Sequence, residues 1–439
     1  MYFLYRILTA IGMLLIGPYY AWRGWRRGEP ASTLSERFGG VPAGIAERAK
    51  AVPGAIWIHA VSVGVVLAAQ PLVERLKASG GRSVFVSTTT ETGRRLARER
   101  LQSADGIFYF PLDWVVPVRR ALRAIHPAIV IIMETEIWPN FLREAGRAGI
   151  PVVFVNARIS ERSFGRFEQW KFLVGEFYRR VLQDVELFLA QTPQDAERLR
   201  EMGASEGRVE VIGNLKYDSD PPKITPFGRW LEEQIQQQER WPVLIAGSVV
   251  AEEEAAVMAA YDIVQRQWRR TLLVLAPRKP DRFGAAADIA AEGGWTVIRR
   301  SQVSIEAALD ENADVLVLDS IGELAGLYLF GDAVFVGGSL VPSGGHNILE
   351  PAWFSKPPVF GASMENFRDM ANQFLGAKAG VQVTSGQQLG KVWVQLIEDN
   401  PLRERMGKAA RQLSERNRGA TDRAIGRITA LLGGEGSGE

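Results

Sequence analysis

Residues 128–134 read AIVIIME, an unbroken apolar run that ends on a carboxylate. A strand with one wet face would alternate apolar and polar side chains. A run this short without alternation is expected of a strand buried on both faces, as parallel sheets covered by helices require. The pattern extends outward from here. Strands are expected near 55–62, 83–89, 107–112, 128–134, 151–157, 187–191 and 209–214. Helical stretches such as 65–78, 91–103, 115–125, 139–149 and 193–202 lie between them. That alternation predicts a parallel, doubly wound α/β sheet.

Residues 218–226, DSDPPKITP, hold three prolines among charges and read as a linker. The alternation then restarts, with strands near 242–248, 271–278, 295–300, 314–319, 333–338 and 357–360, and helices over 400–432. The expected division is a segment 1–27, a Rossmann-like domain 28–220, a second over 221–432 and a disordered tail 433–439. Two such halves joined by a linker describe the GT-B architecture of sugar transferases. Ligands of open α/β sheets bind outside the carboxyl ends of the strands, so a facing cleft is expected.

The inventory narrows the chemistry. The 439 residues carry 52 Lys+Arg against 50 Asp+Glu, a net charge of +2, which does not indicate a strongly basic nucleic-acid face. The absence of cysteine excludes disulfides, thiolate catalysis and cysteine-ligated metal, and three histidines make a His-rich metal site an unfavoured reading. Residues 7–22 carry no charge and are flanked by Arg6 and by Arg23, Arg26 and Arg27. Sixteen helical residues span about 24 Å, short of the hydrocarbon core of about 30 Å. Tyr2–Tyr5 and a snorkelling Arg6 could extend the span. Tyr19, Tyr20, Trp22 and Trp25 make an interfacial aromatic cluster. A membrane anchor, spanning or monotopic, is expected, with the rest of the chain cytoplasmic. A buried core helix is the alternative.

Several motifs lie where strands are expected to end. VGGSLVPSGGHNILEP (336–351) follows a strand and opens a helix. Gly344 and Gly345 permit close backbone approach, His346 and Asn347 stand at the helix start where an anion is favoured, and Glu350 is placed to meet ribose hydroxyls. A glycine turn capped by Asn347 is the structural alternative. AGS (246–248) precedes a helix expected at 251–268, where Ser248 caps it or binds an anion. GNLKYD (213–218) presents Asn214 and Lys216, a carboxylate or phosphate partner or a solvated lysine. METEIWPN (133–140) sets Glu134 and Glu136 at a strand end, for acid–base work or for helix capping. Arg158 in NARISERS and Arg278 in PRKPDRF are candidate anion contacts. IHAVSVG (58–64) turns into a helix at Ser62–Gly64, with His59 read as a core histidine rather than a catalyst.

Taken together, these segments resemble the 3-deoxy-D-manno-octulosonic acid (Kdo) transferases of Gram-negative bacteria. The resemblance rests on ERFG (36–39), IHAVSVG, STTTETG (87–93), FPLD (110–113), METEIWPN, NARISERS, GNLKYD and FVGGSLVPSGGHNILEPA. It implies a GT-B enzyme that moves Kdo with inversion from CMP-Kdo to a lipid A precursor, on the cytoplasmic face of the inner membrane, without a metal or other cofactor. It implies that Gly337, Gly338, Ser339, Gly344, Gly345, His346, Asn347 and Glu350 hold the CMP phosphate and ribose. Asn214, Lys216, Ser248 and Arg278 would help hold the donor, with Ser62 and Gly64 in the turn beside it. Glu136, with Glu134, would support the sugar, and Arg158 would contact acidic groups of donor or acceptor. Arg23, Arg26, Arg27 and Arg37 would hold lipid phosphates.

The chain departs from the family pattern at chemically important positions. The family's first motif ends S-V-G-E, and that glutamate is the expected general base, whereas here Val65 follows Gly64. Val249-Val250 stand where Thr-His is frequent, Lys279 where a histidine is usual, and Gly361-Ala362-Ser363 where the family has G-P-H. Valine accepts no proton, and a missing base typically costs about 10²–10⁴-fold in rate. Two rival readings therefore stand beside the transferase: a non-catalytic relative that binds CMP-Kdo or lipid A precursor, and another GT-B enzyme using a different nucleotide-sugar.

Overall fold

The computed structural model describes residues 2–12 and 31–433. The calls on Tyr19, Tyr20, Trp22, Arg23, Trp25, Arg26, Arg27 and the 434–439 tail lie outside these residues. The described chain forms two α/β units. The first runs to Ser219 and resumes at Asn417; the second is Asp220–Arg416.

The first unit holds β1 (Ala55–His59), β2 (Val84–Thr88), β3 (Gly106–Tyr109), β4 (Pro127–Met133), β5 (Val152–Ala157), β6 (Leu187–Ala190) and β7 (Val209–Val211), in the order β3-β2-β1-β4-β5-β6-β7. All pairings are parallel. Nearly every residue of β4 is fully buried, as its unbroken apolar run requires. Ile129 and Ile131 pack on one face of the sheet, with Val66, Leu72 and Val153; Val130 and Ile132 pack on the other, with Trp57, Phe141 and Phe154.

The second unit holds β8 (Val243–Val249), β9 (Leu272–Pro277), β10 (Val297–Arg299), β11 (Val315–Val317), β12 (Ala333–Val336), β13 (Pro358–Phe360) and β14 (Val381–Gln382). Their order is β10-β11-β9-β8-β12-β13-β14, again parallel. In each sheet the strand order reverses once beside the first strand, between β1 and β4 and between β8 and β12. These switch points are where open α/β sheets leave a crevice at their carboxyl ends.

Two boundaries differ from the sequence expectation. The last helix, Ala420–Gly433, belongs to the first unit and not to a domain 221–432. Ala420, Ala424 and Ile428 bury against Leu72, Leu76 and Leu215, and Asp218 accepts hydrogen bonds from the backbone N–H of Gly419 and Thr421 at the helix start. The helix after β8 begins at Glu254 rather than 251, and Ser248 lies inside β8 with a left-handed φ of 55°, so Ser248 is not its cap.

The described part of the N-terminal segment is helical over 2–12 and docks on the first unit. Tyr2 donates to Asp184, Tyr5 to Asp113, and Arg6 pairs with buried Glu144 at 2.7 Å. Arg6 is thus tied to protein instead of extending an apolar span. The opposite side of the turn sequence, with Phe3, Leu4, Leu8 and Ile11, is exposed. Among the described residues no helix is long and apolar enough to cross a membrane.

Candidate functional site

In the first unit the charged candidates meet at the carboxyl ends of β4 and β5. Glu134 leaves β4 with a left-handed φ of 58° and donates its backbone N–H to the Val155 carbonyl. Asn156 is also left-handed, at a bulge in β5, and its Oδ1 accepts from the Leu215 N–H. That bond draws in the turn after β7. Asn214 accepts the Lys216 N–H and donates to Gln191, whose amide donates to the Asn156 carbonyl. The result sets the Lys216 Nζ 3.9 Å from Glu134, while the Arg158 backbone N–H donates to Thr135. Burial lowers the Lys216 ammonium below its ordinary range, opposed by Glu134 and reinforced by Arg158. Burial raises Glu136, and the charge of Glu134 adds to it. Glu134, Glu136, Arg158, Asn214 and Lys216 therefore form one half-buried cluster of mixed charge. Neither glutamate caps the helix Pro139–Arg147, whose N-cap is Trp138; Asp113 accepts from the N–H groups of Asn140 and Phe141 at its first turn.

On the other side of this switch point, Ser62 precedes the helix Val63–Ala78 and makes no capping bond. A Cβ on Gly64 would meet nothing within 4 Å. Val65 is 7% exposed and packs in the same apolar cluster as Val66 and Ala69. His59 is wholly buried, stacked on Phe110 at 3.8 Å, with Nδ1 against the Ser87 carbonyl, and burial pulls it down to about 3. It is a neutral core histidine. Arg37 donates to the Thr89 carbonyl and lies over the Tyr109 ring, which places it at the ends of β2 and β3.

In the second unit the candidates gather beyond β8 and β12. Gly247 runs so close to Tyr328 that a Cβ would fall 1.9 Å from its hydroxyl. The Arg278 N–H donates to the Val249 carbonyl, which places this arginine just past β9. Gly344 and Gly345 are left-handed, and the Gly345 N–H donates to the Gly338 carbonyl at 2.7 Å. Glu350 is half-buried beside Asn347 and Arg278. Burial pushes its carboxyl up to about 7, against the pull of Arg278 and of its hydrogen bond with Asn347. Burial, with Arg278 adding, lowers His346 to about 4, and its Nε2 is buried with no hydrogen-bond partner. A neutral imidazole, a guanidinium, an amide and a carboxyl that titrates near neutrality thus share one place.

Two details of this segment differ from the sequence expectation. The helix after the GGHN turn is a single turn, Leu349–Ala352, ended where Ser355 turns left-handed before Pro357 and Pro358. A helix this short adds little dipole, and the Gly344 and Gly345 N–H groups already donate to Ser363 and Gly338, so it is Arg278 that favours an anion here. Ser339 is not available to a ligand. It is wholly buried, its hydroxyl donates to Val336 and accepts from Gly361, and the N–H groups of Gly338 and Ser339 are taken by Glu253. Sequence reasoning missed Glu253, because nothing local marks a helix-start glutamate as the partner of a loop 85 residues away.

The family model for 3-deoxy-D-manno-octulosonic-acid transferase (kdotransferase) matches residues 32–219. The Kdo transferase of Haemophilus influenzae is 32% identical over 387 residues, 87% of this chain and 88% of its own. That of Bordetella pertussis is 32% identical over 429 residues, 93% of this chain and 95% of its own. Among solved structures, a UDP-GlcNAc 2-epimerase from Neisseria meningitidis shares the fold, with a TM-score of 0.56 at 14% identity over 85% of this chain and 99% of its own. Identity of this order across almost the full length, with a family model matching 32–219, means that the chain belongs to the Kdo transferases, a family of glycosyltransferases.

Proposed function

We propose that the chain transfers Kdo from CMP-Kdo to a lipid A precursor at the cytoplasmic face of the inner membrane. The observation that carries this reading is the meeting of Arg278, His346, Asn347 and Glu350 at the switch point of the second unit of a Kdo transferase family member. Arg278 and the turn at His346–Asn347 would hold the phosphate, and Glu350 the ribose hydroxyls. The mixed-charge cluster of the first unit would serve the sugars, Lys216 and Arg158 meeting carboxylate or phosphate, and Glu136 accepting hydroxyls. The acceptor oxygen attacks the anomeric carbon of Kdo, the bond from that carbon to the phosphate oxygen breaks, and CMP leaves with the electron pair. Charge developing on the phosphate is met by Arg278 and the turn at His346–Asn347. The acceptor proton goes to a base or to water.

The membrane part of the proposal rests on exposed apolar side chains in the first unit. Phe172 is 98% exposed and Phe3 76%, with Leu4, Leu8, Trp170 and Leu173 also open. Tyr2 and Tyr5 contact Phe177, one turn beyond Leu173 in the helix Glu161–Leu182, which brings the two apolar strips onto neighbouring helices. Calorimetric titration with CMP and UDP tests the donor reading. Preference for CMP is expected; equal or stronger binding of UDP would overturn it.

A second reading is a relative that binds the donor without turning it over. Val65, buried where the family pattern has a carboxylate, favours it. Donor binding with no product at high protein concentration would select it.

A further inference from the structure

The GGS loop after β12 is already occupied by an anion of the protein itself. Glu253 is wholly buried. Its carboxylate accepts the backbone N–H groups of Gly338 at 2.6 Å, Ser339 at 2.8 Å and Leu340 at 2.7 Å, and that of Val250 at 3.1 Å. Three successive N–H groups turned to one point form an anion-binding nest, the arrangement that receives phosphate in many nucleotide sites. Both glycines have a reason in this arrangement. A Cβ on Gly337 would lie 2.9 Å from the Glu253 carboxylate, and Gly338 supplies the left-handed residue, φ 66°. Burying a carboxylate is costly unless its lone pairs are met, and leaving three buried N–H groups unmet is costly too. The two costs cancel only while carboxylate and loop stay together.

The loop in turn carries the donor-side residues. A Cβ on Gly338 would fall 2.6 Å from the His346 ring, so the imidazole rests directly on this glycine. The Gly345 N–H donates to the Gly338 carbonyl, and the Ser363 N–H to the Ser339 carbonyl. The Gly344 N–H donates to the Ser363 hydroxyl. The loops after β12 and β13 are thus tied to one another at 338–339, and Glu253 holds 338–340.

We propose that Glu253 is the positioning residue of the donor site: it closes the GGS nest to phosphate, which leaves the donor's phosphate to the 344–347 turn and Arg278, and it fixes the pose of His346. The inference rests on the reading of the second unit as the CMP-sugar site, and two readouts separate the two. The chain has three histidines, His59, His126 and His346, so imidazole resonances of the full-length protein report His346 individually. Calorimetry with CMP reports the donor site. Glu253→Gln puts an amide donor among three N–H donors, and it is expected to shift the His346 resonances, leave those of His59 and His126 in place, and weaken CMP by about tenfold or more. Glu254→Gln is the control. It breaks the pair that buried Glu254, the neighbouring residue, makes with Arg282, and it is expected to lower Tm without either change. Glu253→Gly is expected to regain CMP affinity with added formate, a response that a general loss of stability would not give. Should Glu253→Gln fail to fold, Glu253→Asp keeps the charge at shorter reach and is judged by the same readouts. Unmoved His346 resonances, or wild-type CMP affinity in the folded variant, would overturn the proposal. A wild-type chain that ignores CMP would overturn the donor reading, and the His346 resonances would still decide the role of Glu253.

Discussion

Val65 and Glu350 carry the residue-scale consequences. Val65 is the third residue of its helix and is buried among aliphatic neighbours. Glutamate in its place gains up to about 1 kcal/mol from the helix N-terminus. It loses about 1–3 kcal/mol to desolvation. The expected outcome for Val65→Glu is a lower Tm, read by calorimetry. Glu350 gives a pH signature. Its folded carboxyl is raised to about 7, so between its ordinary range and that value the folded chain binds more protons than the unfolded one. The stability it contributes is complete at low pH and is lost as pH rises toward 7. Hydroxyls donate more strongly to an ionised carboxylate, so with Glu350 in its proposed ribose role CMP affinity is expected to rise as pH passes about 7. Glu350→Gln is expected to flatten both profiles, in thermal melts and in titrations with CMP.

At the scale of elements, the docked N-terminal helix is held by three carboxylates, Asp184, Asp113 and Glu144, of which Glu144 gathers the arginines. Glu144 is met by Arg6 at 2.7 Å, Arg119 at 2.6 Å and Arg147 at 2.9 Å. The arginines are half exposed, so solvent screens part of the attraction, and Glu144→Gln is expected to cost about 1–2 kcal/mol. Its sharper mark is local: amide exchange should quicken over residues 2–12 while β4 stays protected. Unchanged exchange there would show that Tyr2 and Tyr5 suffice. How far such elements were legible depends on how local their cause is. Strands such as 128–134 announce themselves because burial on both faces leaves no polar position. β14, Val381–Gln382, is two residues long and carries no pattern. The helix Ala420–Gly433 was legible as a helix, but its return to the first unit is fixed by Asp218, some two hundred residues earlier. In the same way the glycines of GGS were legible as a tight loop, and their service to Glu253 was not.

For the molecule as a whole, two sheets of parallel strands place their motif-bearing loops at two switch points, and the first unit bears exposed apolar side chains on which the proposed lipid contact rests. Replacing Trp170, Phe172 and Leu173 together by serine removes exposed apolar area without touching the core. Sedimentation with anionic vesicles is expected to show weaker binding, by about 1.5 kcal/mol or more for each fully inserted side chain. Unaltered sedimentation would assign lipid contact to other surfaces. The central claim is Kdo transfer in which position 65 holds the acid–base deficit. The most direct measurement is mass spectrometry of the product formed from CMP-Kdo and a tetraacyl lipid A precursor, by the native chain and by Val65→Glu. The account predicts an acceptor heavier by Kdo, formed about 10²-fold faster or more by the variant. No Kdo adduct from either folded protein, or equal rates from both, would contradict it.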